Sequence, residues 1–98
     1  MIYTVYILIC SDYSYYTGVT NDLERRIWEH ETGVDRKAYT YRKRPVKLVF
    51  HENFNDVNQA IDFEKQVKGW RRKKKEPLIS GRWDLLPELS INYGKKSQ

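Results

Sequence analysis

Apolar residues alternate at a period of two through Tyr3–Ile9, where both sets, Val5/Ile7/Ile9 and Thr4/Tyr6/Leu8, are largely apolar. Alternating β-branched and aromatic residues predict a strand, and two apolar faces predict a central one covered on both sides. Ser11 and Asp12 supply a turn, after which Tyr13–Val19 returns as the second arm of a hairpin. Tyr6 and Tyr16 then lie on neighbouring strands, within a residue or two of being opposite. Gly18 follows at a point where a turn or a close backbone approach is expected.

The period then changes to that of a helix. Asn21 is placed as N-cap with Glu24 three residues later, predicting a helix from about Asp22 to Glu31 that stops near Gly33. At about 100° per residue, Leu23, Arg26, Ile27 and His30 share one face and Arg25 lies on the other. An arginine and a histidine on the face turned toward the protein are unusual in a core and natural in a site. Pro45–His51 alternates again and predicts a third strand. Asn55 or Asp56 caps a second helix running to about Trp70 or just past Lys73, with Val57, Ala60, Ile61 and Val67 as its apolar stripe. Glu64 falls within that stripe, and a carboxylate facing a core costs several kcal/mol unless it is paired, hydrogen-bonded or bound to a metal. Pro77 marks a break, and Leu78 and Ile79 begin a short further helical segment ended by Gly81.

Length and charge narrow the partners. The 98 residues, 40% of them hydrophobic, fill one core, so a single domain over residues 1–82 is expected, with an extension over 83–98 that is largely flexible after Pro87. A net charge of +5 and 14% aromatic residues, eight of them Tyr, point to an anionic partner and favour nucleic acid over membrane. The apolar opening MIYTVYILIC is too short for a membrane span and lacks the basic flank of a signal peptide. A single cysteine forms no internal disulfide and no cysteine cage, which fits a cytoplasmic setting. Two basic stretches stand out. Arg42, Lys43 and Arg44 follow Tyr39 and Tyr41 in a loop, and Arg71, Arg72, Lys73 and Lys74 open a run of five cations ending at Lys75. Such stretches can grip phosphates and bases or simply be solvated.

Tyr6, Tyr16, Arg26, His30 and Glu64 are the candidates for a site, drawn from a hairpin and two helices. They suffice in kind for phosphodiester hydrolysis: a carboxylate with water ligands can hold Mg²⁺, an arginine can neutralise phosphoryl charge, and tyrosine or histidine can take a proton from water. Each has a plainer alternative. The tyrosines suit a sheet, Arg26 and Glu64 could form a structural ion pair, and His30 could cap its helix.

Taken together, Thr4-Val5-Tyr6, Tyr16-Thr17-Gly18, Arg26 and His30 in DLERRIWEH, and Glu64 in FEKQVKGW resemble the GIY-YIG nuclease domain. The likeness is to its small standalone bacterial members of the UPF0213 type and spans roughly residues 1 to 80. Thr4 replaces the glycine of the first motif and Thr17 the isoleucine of the second, changes that remove no functional group. The resemblance implies an α/β (α+β) fold, a three-stranded antiparallel sheet flanked by helices in the order β-β-α-β-α-(α). It implies an endonuclease acting on DNA, with RNA left open, that uses one Mg²⁺ or Mn²⁺ ion. By that similarity Tyr6 and Tyr16 are the motif tyrosines, Arg26 the catalytic arginine, His30 the helix histidine and Glu64 the metal ligand. A non-catalytic nucleic-acid-binding module on the same scaffold is the alternative. A monomer is assumed.

Overall fold

The computed structural model describes residues 1–82, so the extension assigned to residues 83–98 lies outside the described residues. Its elements run β1 (Tyr3–Ile9), β2 (Tyr15–Thr20), α1 (Leu23–Thr32), a single 3-10 turn (Tyr41–Lys43), β3 (Lys47–Phe54), α2 (Val57–Lys68) and α3 (Arg72–Ile79). The three strands form one antiparallel sheet in the order β2-β1-β3. Thr4 to Leu8 are all buried, as a strand apolar on both faces requires. Val5 and Ile7 pack on one side with Phe54, Ala60, Phe63, Val67 and Leu78, beneath α2 and α3. Tyr6 and Leu8 pack on the other with Cys10 and Val46, against Leu23 and Ile27 of α1. Among the described residues no helix is long and apolar enough to cross a membrane.

Local chemistry moves several boundaries. β2 begins at Tyr15 and not Tyr13, because Tyr13 has a left-handed backbone, φ 66°, inside a loop closed by Cys10 N–H donating to the Ser14 carbonyl at 2.9 Å. Asp12 holds that loop by accepting from the Ser14 amide at 3.0 Å. The N-cap of α1 is Asp22 and not Asn21: its carboxylate accepts from the Arg25 amide at 3.2 Å, while Glu24 sits in the first turn where the helix dipole favours a negative charge. Gly33 closes α1 in the left-handed conformation, φ 69°, as a C-terminal glycine does. β3 runs on past His51 to Phe54, whose ring enters the core.

The second half departs further from its predicted pattern. The buried positions of α2 are Ala60, Phe63 and Val67, which turns the core-facing stripe roughly 60° away from the one centred on Glu64. Phe63 drives this rotation, since burying such a ring contributes about 1.5–3 kcal/mol. Glu64 consequently flanks the core. The WRRKKKE run does not extend α2, which ends at Lys68; after Gly69 and Trp70 the chain starts α3 at Arg72. Pro77 does not break α3 but lies inside it, where the burial of Leu78 offsets the lost backbone bond.

Candidate active site

The site begins with a ring lying across a glycine. Tyr6 of β1 is paired with Gly18 of β2, and a Cβ at Gly18 would meet the Tyr6 oxygen at 2.5 Å and its Cζ at 2.6 Å. Gly18 is therefore the seat of the Tyr6 ring. Tyr16 is opposite Leu8, two residues along, so strand alternation puts it on the same face as Tyr6 with ring centroids 6.2 Å apart. Tyr6 is fully buried and Tyr16 is half-buried.

His30 arrives from α1, two turns after Leu23, and is itself buried. Its Nε2 lies 3.0 Å from the Tyr6 hydroxyl and its Nδ1 2.7 Å from the Thr40 hydroxyl. Thr40, buried just before the 3-10 turn, escaped the sequence reading; a threonine between Tyr39 and Tyr41 carries no signal of its own. Burial pushes the imidazole below its ordinary pKa, and the Arg26 guanidinium pushes it the same way. Burial likewise holds the Tyr6 phenol well above its usual range, with Tyr16 adding to the rise and Arg26 opposing it. Near neutral pH the pair is thus an uncharged phenol facing an uncharged imidazole.

Arg26 reaches this pair from the same helix face as His30, near enough for its charge to act on both the Tyr6 phenol and the His30 imidazole. Its guanidinium also pairs with Glu29 at 2.9 Å and is 40% exposed. Arg25 touches the same carboxylate at 3.3 Å but is 74% exposed, on the outer side of the helix. Tyr6, Tyr16, Arg26 and His30 therefore form one cluster with Gly18 beneath it.

Glu64 stands apart from that cluster, on a helix that covers the opposite face of the sheet. The ion pair considered between it and Arg26 does not form; Glu64 pairs with Lys68 at 3.6 Å, and its side chain is 14% exposed. Among the described residues no three His, Cys, Asp or Glu side chains gather into a protein-only metal cage. A lone, largely buried carboxylate with a long ion pair still fits a hard divalent ion that retains its waters and is completed by phosphate oxygens. Lys68 also lines a pocket with Tyr16, linking the carboxylate to the tyrosine cluster through one side chain.

The basic candidates divide by what already holds them. Lys43 pairs with Asp12 at 2.8 Å and bonds the Tyr39 hydroxyl at 3.0 Å, which keeps its ammonium above its usual pKa. Arg44 donates to the carbonyls of Tyr41 and Thr32, stacks over Tyr41 and fills the space that a side chain at Gly33 would occupy. Arg72 lies over the Tyr15 ring and donates to the Tyr13 carbonyl, and Lys74 lies over Trp70. Arg42, Arg71 and Lys73 are exposed.

Comparison with known proteins points one way. A family model described as the GIY-YIG catalytic domain matches residues 2–76. A UPF0213 protein of Bacillus pumilus is 45% identical over 74 residues, covering 76% of this chain and 74% of its own. One from Haloquadratum walsbyi is 43% identical over 81 residues, covering 83% and 90%. The solution NMR structure of a UPF0213 protein from Bacillus halodurans superposes with a TM-score of 0.54 at 42% identity, over 82% of this chain and 84% of that one. A protein from E. faecalis, also solved by NMR, gives 0.59 at 34% identity, over 83% and 85%.

Proposed function

The chain belongs to the GIY-YIG catalytic-domain family, and from that membership we propose that it is a metal-dependent endonuclease hydrolysing phosphodiester bonds in DNA. The observation that carries this reading is the buried chain of Tyr6, His30 and Thr40 set against Arg26 and Tyr16. A purely structural tyrosine needs one hydrogen-bond partner. Tyr6 instead meets an uncharged imidazole, a guanidinium and a second tyrosine, the groups that receive a proton, offset negative charge and reach the surface.

Proton removal from the attacking water would run inward, because Tyr6 is closed to solvent and Tyr16 is not. Tyr16 accepts the water proton as the oxygen bonds to phosphorus, its own proton passes to Tyr6, and that of Tyr6 passes to His30 Nε2. In the neutral tautomer whose Nδ1–H donates to Thr40, the lone pair is on Nε2 facing the Tyr6 hydroxyl, ready to receive. Arg26 offsets charge growing on the phosphoryl oxygens, and the departing oxygen takes a proton from solvent. Glu64 would hold a single Mg²⁺ or Mn²⁺, which when bound polarises the phosphate and eases departure of the leaving oxygen. Few base-reading elements fit on a domain of this size, so recognition rests on backbone, structure or single strands more than on sequence. The same reading places it in the cytoplasm, a setting that a single cysteine without an internal disulfide fits.

The test is cleavage of single-stranded, duplex and branched DNA, and of RNA, with Mg²⁺, with Mn²⁺ and with EDTA. Cleavage is expected with metal only, lost in Glu64→Ala and Arg26→Ala, sharply reduced in Tyr6→Phe, and largely intact in Arg25→Ala. Cleavage that persists equally in Glu64→Ala, or none on any substrate, rejects the nuclease. Salt-sensitive binding without cleavage would instead establish the non-catalytic module.

A further inference from the structure

Beside the tyrosine cluster lies the pocket that Lys68 shares with Tyr16, about 210 Å³ in volume and lined also by Tyr15, Thr17, Tyr39 and Lys75. Lys75 is the fifth cation of the basic run and the one whose side chain turns inward, leaving it 8% exposed. Its stem is buried, yet among the described residues its ammonium makes no hydrogen bond or ion pair. Burial and the charge of Lys68 both weigh against that ammonium, Tyr39 opposes them, and among the described residues no carboxylate pairs with it. The Thr17 hydroxyl, buried in the same wall, also lacks a partner. A lysine whose stem is buried while its ammonium reaches the cavity without a partner, beside a second lysine on the same wall, leaves two like charges there in want of an acceptor. The group that answers Lys75 and Lys68 together is a compact anion that accepts several hydrogen bonds.

We infer that this pocket is a phosphoryl-binding subsite in which Lys75 and Lys68 hold a phosphate group of a bound nucleic-acid strand. Lysine suits this role as a compact point charge with three donors. That the phosphate comes from a strand rests on the proposed function, through Tyr16, whose ring belongs both to this pocket and to the cluster around Tyr6. Tyr39, stacked on Tyr16 at 5.9 Å between centroids, completes a wall that is aromatic on one side and cationic on the other. Lys68 spans this pocket and Glu64, so a phosphate held here also draws Lys68 away from the carboxylate.

The test measures binding alone, in EDTA, using a fluorescent short oligothymidylate across a range of salt. Lys75→Met keeps the buried stem and removes the charge. Affinity should fall severalfold, and the slope of log affinity against log salt should lessen by about 0.7, the value for one lost contact to a single strand. Lys75→Arg should recover most of both. In the unsubstituted protein carrying ¹³C-labelled lysine, the Lys75 ε-methylene signal should move as the strand is added. Unchanged affinity and slope in Lys75→Met overturn the inference, and so does an unmoved Lys75 signal at saturating strand, a reading that needs no variant to fold. A signal that answers inorganic phosphate but not the strand overturns it as well. Glu64→Ala, which stops cleavage under the proposed function, should leave the Lys75 slope difference in place, whereas binding by the unsubstituted protein with no cleavage on any substrate keeps this subsite while rejecting the nuclease.

Discussion

The hydroxyl oxygen of Thr40 stands 2.7 Å from Nδ1 of His30, so a loop residue ten positions beyond the histidine settles which ring nitrogen faces Tyr6. Thr40→Val keeps the shape and removes the hydroxyl, leaving a buried ring nitrogen unpaired. The expected loss is about 1–3 kcal/mol in urea unfolding, with Thr40→Ser close to the unsubstituted protein. If cleavage is established, Thr40→Val should also displace its pH profile, which a loss of packing alone would not do.

Stability should respond to pH through His30. The folded imidazole lies below its ordinary value of 6.5, first through burial and then through Arg26, while in the unfolded chain it returns to that value. Between the two values the unfolded chain binds more protons, so this contribution is complete above about pH 6.5 and is lost as pH falls through the lower, folded value. Asp12, whose carboxyl Lys43 and Ser14 hold well below the usual range, brings its own loss only in more acidic solution. Urea unfolding at about pH 7.5 and about pH 5.5 should show the fall, and His30→Asn should flatten it. An equal fall in His30→Asn would assign it elsewhere.

Gly18 and Tyr6 should behave as one unit. A methyl group at Gly18 would fall within 2.6 Å of both Cζ and the hydroxyl oxygen of Tyr6, so Gly18→Ala must displace the ring and stretch its bond to His30. A destabilisation of about 1–3 kcal/mol is expected, typical of overpacking. Most of it should vanish when Gly18→Ala is made in a Tyr6→Leu background, a coupling that a double-mutant cycle of unfolding energies measures.

Much of this architecture is written in local periodicity. The two apolar faces of Tyr3–Ile9 announced a central strand, and helical spacing separated Arg26 and His30 from Arg25, as their different exposures bear out. Local pattern is blind where a distant partner decides. Phe63 takes the buried place on α2 because Phe54, 5.3 Å away between ring centroids, waits on β3. Asp22 outcompetes Asn21 as a cap through the single geometry of a hydrogen bond to Arg25. Thr40 and Lys75 matter through contacts, or the want of them, that arise only after the chain has folded back. In a run of five cations, nothing but the packing of α3 tells the fifth from the rest.

The order β2-β1-β3 places the two tyrosines in different tiers of local stability. Tyr6 rides the middle strand, whose amides are secured on both sides, and its backbone should exchange with solvent only when the whole sheet opens. Tyr16 rides a border strand secured on one side, which can loosen at far lower cost. Fluctuations of the cluster should therefore begin at Tyr16 and leave the Tyr6–His30 pair intact, so under the proposed function a bound strand would meet the pliable tyrosine before the rigid pair.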